Sequence, residues 1–153
     1  MKHTVYLGGP IAGLTFAGAG AWRDRAQELL AAHGIGVLYP VLNRNAKPDY
    51  VYNDQGYAHI PTLTPNAIVA TDRWCVRTCS LVLMNLSGVS KASIGSMVEF
   101  GWADILGKLI VTVLDPSAEP DNPHNHQFVK QLSGVIVPTL EDAVDVIANT
   151  LPK

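Results

Sequence analysis

The chain has 153 residues, a formal net charge of −2 and a pI of about 6.2, so it lacks the basic excess that binds a nucleic-acid polymer. Its 48% hydrophobic and 16% charged residues are typical of a globular domain with a core. No apolar run approaches the ~18 residues of a membrane span, and the amino terminus lacks a signal-peptide core. We expect one cytoplasmic domain over 1–153 that contacts neither membrane nor nucleic-acid polymer.

Strand and helix patterns alternate along the chain. Apolar and β-branched runs predict five strands, at 3–8, 35–40, 80–86, 108–114 and 134–138. Apolar residues at helical spacing predict four helices, at 15–34, 66–79, 96–107 and 139–152, the last capped by Thr139. This alternation predicts a three-layer α/β fold, Rossmann-like or flavodoxin-like, with a five-stranded parallel sheet and helices on both faces.

Two long segments, 43–65 and 115–128, interrupt the pattern. Both follow strands and therefore lie at the carboxyl edge of the sheet, where parallel α/β folds bind ligands. A loop as long as the first is typical of a lid or another functional segment. The turn 8–13 and the segment 86–99 reach the same edge, so we expect the binding site there.

The turn "GGPIAG" follows the first strand. It is neither a dinucleotide fingerprint, because Pro10 replaces the second glycine, nor a phosphate-binding loop, because no Gly-Lys-Ser/Thr follows. Its glycines still permit close approach of the backbone to a ligand, although a plain tight turn explains them equally well. Tyr6, just before it, is either a core residue or a phenol that orients a carboxylate in the cleft.

Asp72 occupies the middle of the second helix, in "ATDRWCVRTC". Such an aspartate is more often on a solvated face or paired with arginine. The neighbouring Trp74 and cysteines nevertheless suggest a partly buried stretch, in which Asp72 could serve as an acid or as a group that binds a base. Cys75 and Cys79 are best interpreted as small buried side chains, because a disulfide there would be strained and zinc needs more ligands.

His124 and His126, in "NPHNH", are too few and too loosely placed to predict a metal site. Contact with a ligand or a neighbouring subunit is the better interpretation of these loop histidines. We therefore expect neither a metal nor a cofactor.

Glu99 stands three residues after Ser96, and Ser-x-x-Glu is the capping-box pattern of a helix start. We expect a carboxylate in that first turn to stay ionised unless it is buried away from partners, because helix N-termini stabilise anions. A rigid ionised carboxylate at a strand end also suits a nucleophile in glycosyl transfer, where a second acid assists the leaving group. Spacing alone favours the cap over the nucleophile.

Three segments, "VYLGGPIAG", "DRW" and "SIGSMVEFGWADILGK", together resemble the nucleoside 2-deoxyribosyltransferase family, whose relatives include deoxynucleoside monophosphate N-glycosidases. The resemblance runs in order from the first strand to "NPHNHQFV", and the serine–glutamate block is its most specific part. It implies a Rossmann-like fold, a retaining two-step transfer of deoxyribose, and nucleosides with free nucleobases as partners.

The resemblance also implies roles for individual residues. Glu99 matches the nucleophile, Tyr6 the tyrosine that positions it, and Asp72 the aspartate that contacts or protonates the departing base. The turn with Gly9, Pro10 and Ile11 matches the loop that covers the nucleoside. In the family, a neighbouring subunit of a homo-oligomer completes the pocket, and its polar contributor corresponds here to one of three candidates, Asn122, His124 and Asn125.

One position departs from many transferases of the family, which carry aspartate where this chain has Ser93. The N-glycosidase branch often has serine there, in contact with a 5′-phosphate. Ser93, with the backbone of Gly95 and Ser96, predicts an anion seat at a helix start. The sequence therefore leaves three hypotheses: a deoxyribosyltransferase, a nucleoside monophosphate N-glycosidase, and a nucleotide-binding module without catalysis.

Overall fold

Five parallel strands form one sheet in the computed structural model, which describes residues 2–39, 48–49, 51 and 60–152. The spatial order is β2-β1-β3-β4-β5, and every neighbouring pair is parallel. This confirms the predicted flavodoxin-like sheet. The strand bounds are β1 Thr4–Gly8, β2 Gly36–Leu38, β3 Leu81–Asn85, β4 Ile110–Val113 and β5 Val135–Val137.

Five α-helices connect or follow the strands in the described part of the chain. A short 3-10 turn, Pro61–Leu63, precedes the second of them. No helix among the described residues is both long and apolar enough to cross a bilayer. The helix bounds are α1 Phe16–Ala31, α2 Pro65–Thr78, α3 Ile94–Ile105, α4 Gln127–Leu132 and α5 Leu140–Thr150.

The helices cover both faces of the sheet and complete the predicted three layers. On one face, α1 and α5 pack on a core that includes Leu7 and Ile147. On the other, α2, α3 and α4 pack on a core that includes Tyr6, Phe100 and Val129. Because apolar side chains point to both faces, the strands are the continuous hydrophobic runs found in the sequence.

The start of α3 differs from the prediction. The N-cap is Ser93, whose Oγ accepts the Ser96 N–H at 3.3 Å, so the predicted Ser96 cap is wrong. Glu99 is therefore the sixth helical residue, and the first turn of α3 contains no acidic residue. The cause is tertiary, since Nε2 of His124 accepts the Ser93 N–H at 3.0 Å and holds Ser93 in extended conformation.

Other local predictions have mixed outcomes. Thr139 caps α5 as expected, and Cys75 and Cys79 are free and buried. The segment 115–128 is predicted to be irregular, but its end enters the short helix α4, which His126 caps through its ring nitrogen. The predicted lid at 43–65 falls largely outside the described residues.

Candidate active site

The site lies where the carboxyl ends of β1 and β3 meet. These strands are central in the sheet, and the chain order reverses between them because β2 lies beyond β1 and β4 beyond β3. Ligands of doubly wound folds bind at such a switch point. The turn after β1 and the first turns of α3 border this position, as the sequence predicted.

A cavity of about 320 Å³ opens at this edge. Residues of α2 and α3 supply most of its wall, and the turn after β1 supplies the rest. Its described ionisable lining groups are the two carboxyls of Asp72 and Glu99. The lining residues are Gly9, Ile11, Ile68, Val69, Asp72, Ser93, Ile94, Gly95, Ser96, Val98, Glu99 and Trp102.

Glu99 is fixed by a hydrogen bond from Tyr6 of β1. The Tyr6 hydroxyl donates to Oε1 of Glu99 at 2.9 Å. Oε2 is buried and has no hydrogen-bond partner among the described residues. The carboxyl is therefore anchored through one oxygen, while the other is available to a reacting group.

Tyr6 satisfies both interpretations that the sequence left open. Its ring is fully buried among the side chains under α2 and α3. Its hydroxyl is nevertheless used by Glu99, so the residue is both a core side chain and the orienting group of the carboxyl. Burial is the main reason why the pKa of Tyr6 is well above its usual value, and the Glu99 charge adds to it.

Asp72 faces the cavity rather than solvent. It is 7% exposed, and it lies in the middle of α2 with Cys75 and Val76 as buried neighbours. The solvated-face interpretation is therefore wrong. α2 presents this carboxyl because it packs on both the sheet and α3, with Trp74 left on the outer side at 57% exposure.

The two carboxyls hold protons more tightly than usual. The pKa of Glu99 is raised to about 8, mainly by burial and also by the neighbouring Asp72 charge, while the Tyr6 hydrogen bond and the Arg23 charge oppose the rise. Burial also raises the pKa of Asp72 to about 7. Glu99 therefore does not keep the ionised form expected of an unburied first-turn carboxylate, because it lies in the second turn of α3 and the Tyr6 hydrogen bond and the Arg23 charge only partly offset its burial.

Gly8 and Gly9 are required by close contacts. A Cβ on Gly8 would lie 2.6 Å from Cε of Met84 and 3.0 Å from Oε2 of Glu99. A Cβ on Gly9 would lie 2.6 Å from the carbonyl oxygen of Asn85. The glycines therefore allow β1 to end directly against β3 and against the Glu99 carboxyl.

The three residues of the predicted anion seat, Ser93, Gly95 and Ser96, all line the cavity. Ser93 accepts hydrogen bonds from both the backbone N–H and the hydroxyl of Ser96. The Ser96 N–H is thus used inside the helix cap, and the Ser93 hydroxyl proton remains as a donor. Gly95 lines the cavity beside them.

The candidates from the loop before α4 lie outside this cavity. Asn122 donates to the Leu86 carbonyl and to Glu119, and its Oδ1 accepts the His124 N–H. His124 is 1% exposed, and its buried Nδ1 has no partner in the described chain. Asn122 and His124 thus tie the loop to β3 and α3.

Asn125 also lies outside the cavity, with its Nδ2 donating to the Pro120 carbonyl at 3.5 Å. A role for this loop on a neighbouring subunit stays a prediction. Pro10 lies between two lining residues, Gly9 and Ile11, without lining the cavity itself.

Two functional candidates escaped the sequence analysis. Trp102, one turn after Glu99, lines the cavity and carries the Arg73 guanidinium 5.1 Å from its ring centre. Arg23 of α1 is completely buried behind the turn that follows β1. Among the described residues, no group of three or more histidine, cysteine, aspartate or glutamate side chains could hold a metal ion.

Sequence comparison gives one family match. The profile described as nucleoside 2-deoxyribosyltransferase matches residues 5–135, which include β1 through the start of β5. None of the curated proteins matches the chain by sequence. The match includes Tyr6, Asp72 and Glu99.

Solved structures share the fold at low sequence identity. A 2-desoxiribosyltransferase from Leishmania mexicana has a TM-score of 0.67 at 15% identity and covers 98% of this chain and 99% of its own. A 2-deoxyribosyltransferase from Bacillus psychrosaccharolyticus has 0.66 at 15%, covering 93% and 90%. A CMP N-glycosidase from Clostridium botulinum has 0.53 at 17%, covering 97% and 99%. At such identities the likeness establishes the fold alone.

Proposed function

The chain belongs to the nucleoside 2-deoxyribosyltransferase family, and from this premise we propose that it exchanges the nucleobase of 2′-deoxynucleosides through a deoxyribosyl ester of Glu99. The observation that carries the proposal is the 2.9 Å hydrogen bond from Tyr6 to Glu99 at a cavity that also receives the carboxyl of Asp72. One anchored carboxyl and one nearby acid are the two groups that a retaining transfer needs.

The first half-reaction uses the pair in its singly charged state. Glu99 as carboxylate attacks C1′ of the nucleoside while the bond from C1′ to the base nitrogen breaks, and its electron pair leaves with the base. Asp72 as carboxylic acid gives its proton to the departing base. The products are the deoxyribosyl ester, a neutral base and the Asp72 carboxylate.

The second half-reaction reverses these steps with a new base. The acceptor nitrogen attacks C1′, the ester bond to Glu99 breaks, and Asp72 takes the proton that the acceptor loses. The hydrogen bond from Tyr6 favours the ionised form of Glu99. Attack requires the single proton of the pair on Asp72, the reverse of the order that the pKa values of about 7 for Asp72 and about 8 for Glu99 give without substrate.

Charge in the cavity favours an unphosphorylated substrate. Among the described lining residues, the ionisable side chains are acidic. A phosphate dianion beside two carboxyls would be repelled, whereas a neutral nucleoside meets apolar walls from Ile68, Val69 and Trp102.

Base exchange tests the proposal directly. The protein is incubated with a panel of deoxynucleosides and a free acceptor base, and new nucleosides are measured by chromatography. Glu99→Ala should abolish exchange, and a mass spectrum of wild type with substrate should show deoxyribose bound to Glu99. Wild-type exchange by Glu99→Ala would contradict the nucleophile assignment. Absence of both turnover and adduct would favour a binding module without catalysis.

The alternative reaction is hydrolysis of the N-glycosidic bond of a nucleoside 5′-monophosphate. Its support is Ser93, whose hydroxyl lines the cavity at the start of α3. Water would then replace the acceptor base in the second step. Free base released from the monophosphate, without exchange product, would favour this reaction; a strong preference for the unphosphorylated nucleoside would exclude it.

A further inference from the structure

Arg23 is a charged side chain with no exposed surface. It lies in α1, on the face of the sheet opposite the Glu99 helix, and its guanidinium donates to backbone carbonyls instead of reaching solvent. Nε donates to Leu7 at 3.3 Å, Nη2 to Gly9 at 2.9 Å, and Nη1 to Ala19. The Trp22 ring stacks 4.6 Å from the guanidinium carbon.

These hydrogen bonds hold the carboxyl end of β1 on both sides of its last residue, Gly8. Leu7 and Gly9 flank Gly8, where an added Cβ would lie 3.0 Å from Oε2 of Glu99. The same turn meets β3 at the Asn85 carbonyl, 2.6 Å from the corresponding position on Gly9. Displacement of either carbonyl would move the wall against which the free oxygen of Glu99 rests.

We propose, on the basis of the proposed transferase function, that Arg23 is a positioning residue that holds the β1 end in place and supplies positive charge to the buried carboxyl pair. A planar guanidinium suits both tasks, because it directs several donors in fixed directions and stays charged when buried. A lysine at this position would keep the positive charge but could not direct several donors in fixed directions from one planar group.

Several titratable groups lie near Glu99 on the surrounding elements, and the Arg23 charge affects the pKa values of three groups at the site. Tyr6 comes from β1, while Asp72 and Cys75 come from α2. Arg23 is the cationic neighbour that lowers the pKa of Tyr6, Asp72 and Glu99 against the effect of burial. Removal of this charge therefore predicts tighter proton binding by both carboxyls.

Two variants separate position from charge. Arg23→Lys keeps the charge and should lower kcat by about tenfold or more without a large shift of the pH profile. Arg23→Gln removes the charge and should also move the acidic limb of kcat/KM upward by about one pH unit. Arg25→Gln is the matched control on the same helix, because Arg25 is more than half exposed and pairs with Glu28 and Glu141 at 3.7 Å.

The titration of Glu99 is measured without substrate, by carbon-13 NMR of the side-chain carboxyls, with assignment from Glu99→Gln. The titration midpoint of Glu99 should be higher in Arg23→Gln than in the wild type and unchanged in Arg25→Gln. A folded Arg23→Gln protein with wild-type midpoint and wild-type kcat would overturn the inference. If that variant does not fold, a folded Arg23→Lys protein with wild-type kcat would overturn it equally.

These readouts separate the two proposals. Inactivity of the wild type on every substrate would contradict the transferase function and the hydrolase alternative. The NMR midpoints would then decide the Arg23 inference by themselves: a rise in Arg23→Gln supports it, and an unchanged midpoint rejects it.

Discussion

The Tyr6 hydroxyl lies 2.9 Å from Oε1 of Glu99, a residue 93 positions later in the chain. Both side chains are buried, so the hydrogen bond is formed in a medium where an unpaired partner would be costly. The bond fixes which oxygen of Glu99 is held, and it leaves Oε2 without a hydrogen-bond partner in the described part of the chain. Several measurable consequences depend on this pair and on its surroundings.

Replacing Tyr6 with phenylalanine should slow the reaction while leaving substrate affinity nearly unchanged. Loss of the donor leaves Oε1 of Glu99 unpaired and favours its protonated form, so kcat should fall about 10–100-fold, with the acidic limb at higher pH. Steady-state kinetics across pH measure both effects. Tyr39→Phe is the control, because the Tyr39 hydroxyl contacts Asp24 at 3.4 Å. Equal kcat in Tyr6→Phe and wild type would contradict the role of the bond.

Stability should fall as pH rises. The pKa of Asp72 is 3.8 in the unfolded chain and about 7 when folded, and that of Glu99 changes from 4.5 to about 8. Because the folded state retains both protons longer, their stabilising contribution is full below the unfolded values and is lost as pH rises through the folded ones. Calorimetric Tm values across this window measure the loss, which we expect to be on the order of a few kcal/mol.

Glu99→Gln should flatten much of that slope, since the amide has no charge to bury. The control is Glu28→Gln on α1, where the side chain is 72% exposed. A wild-type Tm that does not change with pH would refute the buried-pair interpretation, as would identical slopes for wild type and Glu99→Gln.

Asp72→Asn should reduce kcat/KM strongly for nucleosides whose base needs a proton to leave. General acids of this kind contribute about 10²–10⁴-fold. The deficit should shrink when the leaving base is already a good leaving group, because bond cleavage then needs less assistance. Asp104→Asn tests for unspecific effects, as Asp104 is an exposed residue of α3. A deficit that is independent of the leaving group would argue against proton donation.

A single methyl group on Gly8 should disable the site. The Cβ of alanine would lie 2.6 Å from Cε of Met84 and 3.0 Å from Oε2 of Glu99, so the Met84 side chain must shift and the Glu99 carboxyl must give way by a few tenths of an ångström. We expect a loss of kcat of about 100-fold or more and a destabilisation of about 1–3 kcal/mol.

Gly101→Ala provides the comparison for Gly8→Ala within the Glu99 helix. A methyl group at Gly101 would have no described atom within 4 Å, apart from its own neighbourhood in the helix. This change should therefore stabilise the protein by roughly 0.5–1 kcal/mol and preserve kcat. Similar kinetics in the two variants would mean that the Gly8 contact does not restrict Glu99.

The sequence was sufficient for the layers and the parallel sheet, but it left the strand order open between Rossmann-like and flavodoxin-like arrangements. Apolar runs such as 80–86 indicate strands that are buried on both faces. The predicted helices between successive strands indicate that these strands are parallel. The helix α4 was not predicted, because it has six residues and Val129 is the buried one, so the sequence shows little helical periodicity there. The start of α3 was misplaced because two serines precede Glu99, and the choice between them depends on His124, 31 residues beyond Ser93.

For the site, Tyr6, Asp72 and Glu99 were predicted as a group only through the family resemblance, because the pattern alone favoured a core tyrosine, a solvated or paired aspartate and a capping glutamate. Their roles come from the family resemblance and stay predictions. Arg23 was not recognised, since "WRDRAQ" resembles an exposed helical face and the carbonyls that receive its donors belong to the end of β1 and the turn after it. Burial of a charge by backbone partners leaves no pattern in side-chain periodicity.

The order of strands in the sheet also determines which local unfolding events would break the hydrogen bond between Tyr6 and Glu99. Tyr6 belongs to β1, which exchanges hydrogen bonds with strands on both sides, whereas the edge strands β2 and β5 contain three residues each. Edge strands fray first, so their amide protons should exchange with solvent fastest and those of β1 and β3 slowest. Transient opening at either edge therefore leaves the bond between Tyr6 and Glu99 formed. Catalytic competence should accordingly disappear together with the most protected amides, at global unfolding.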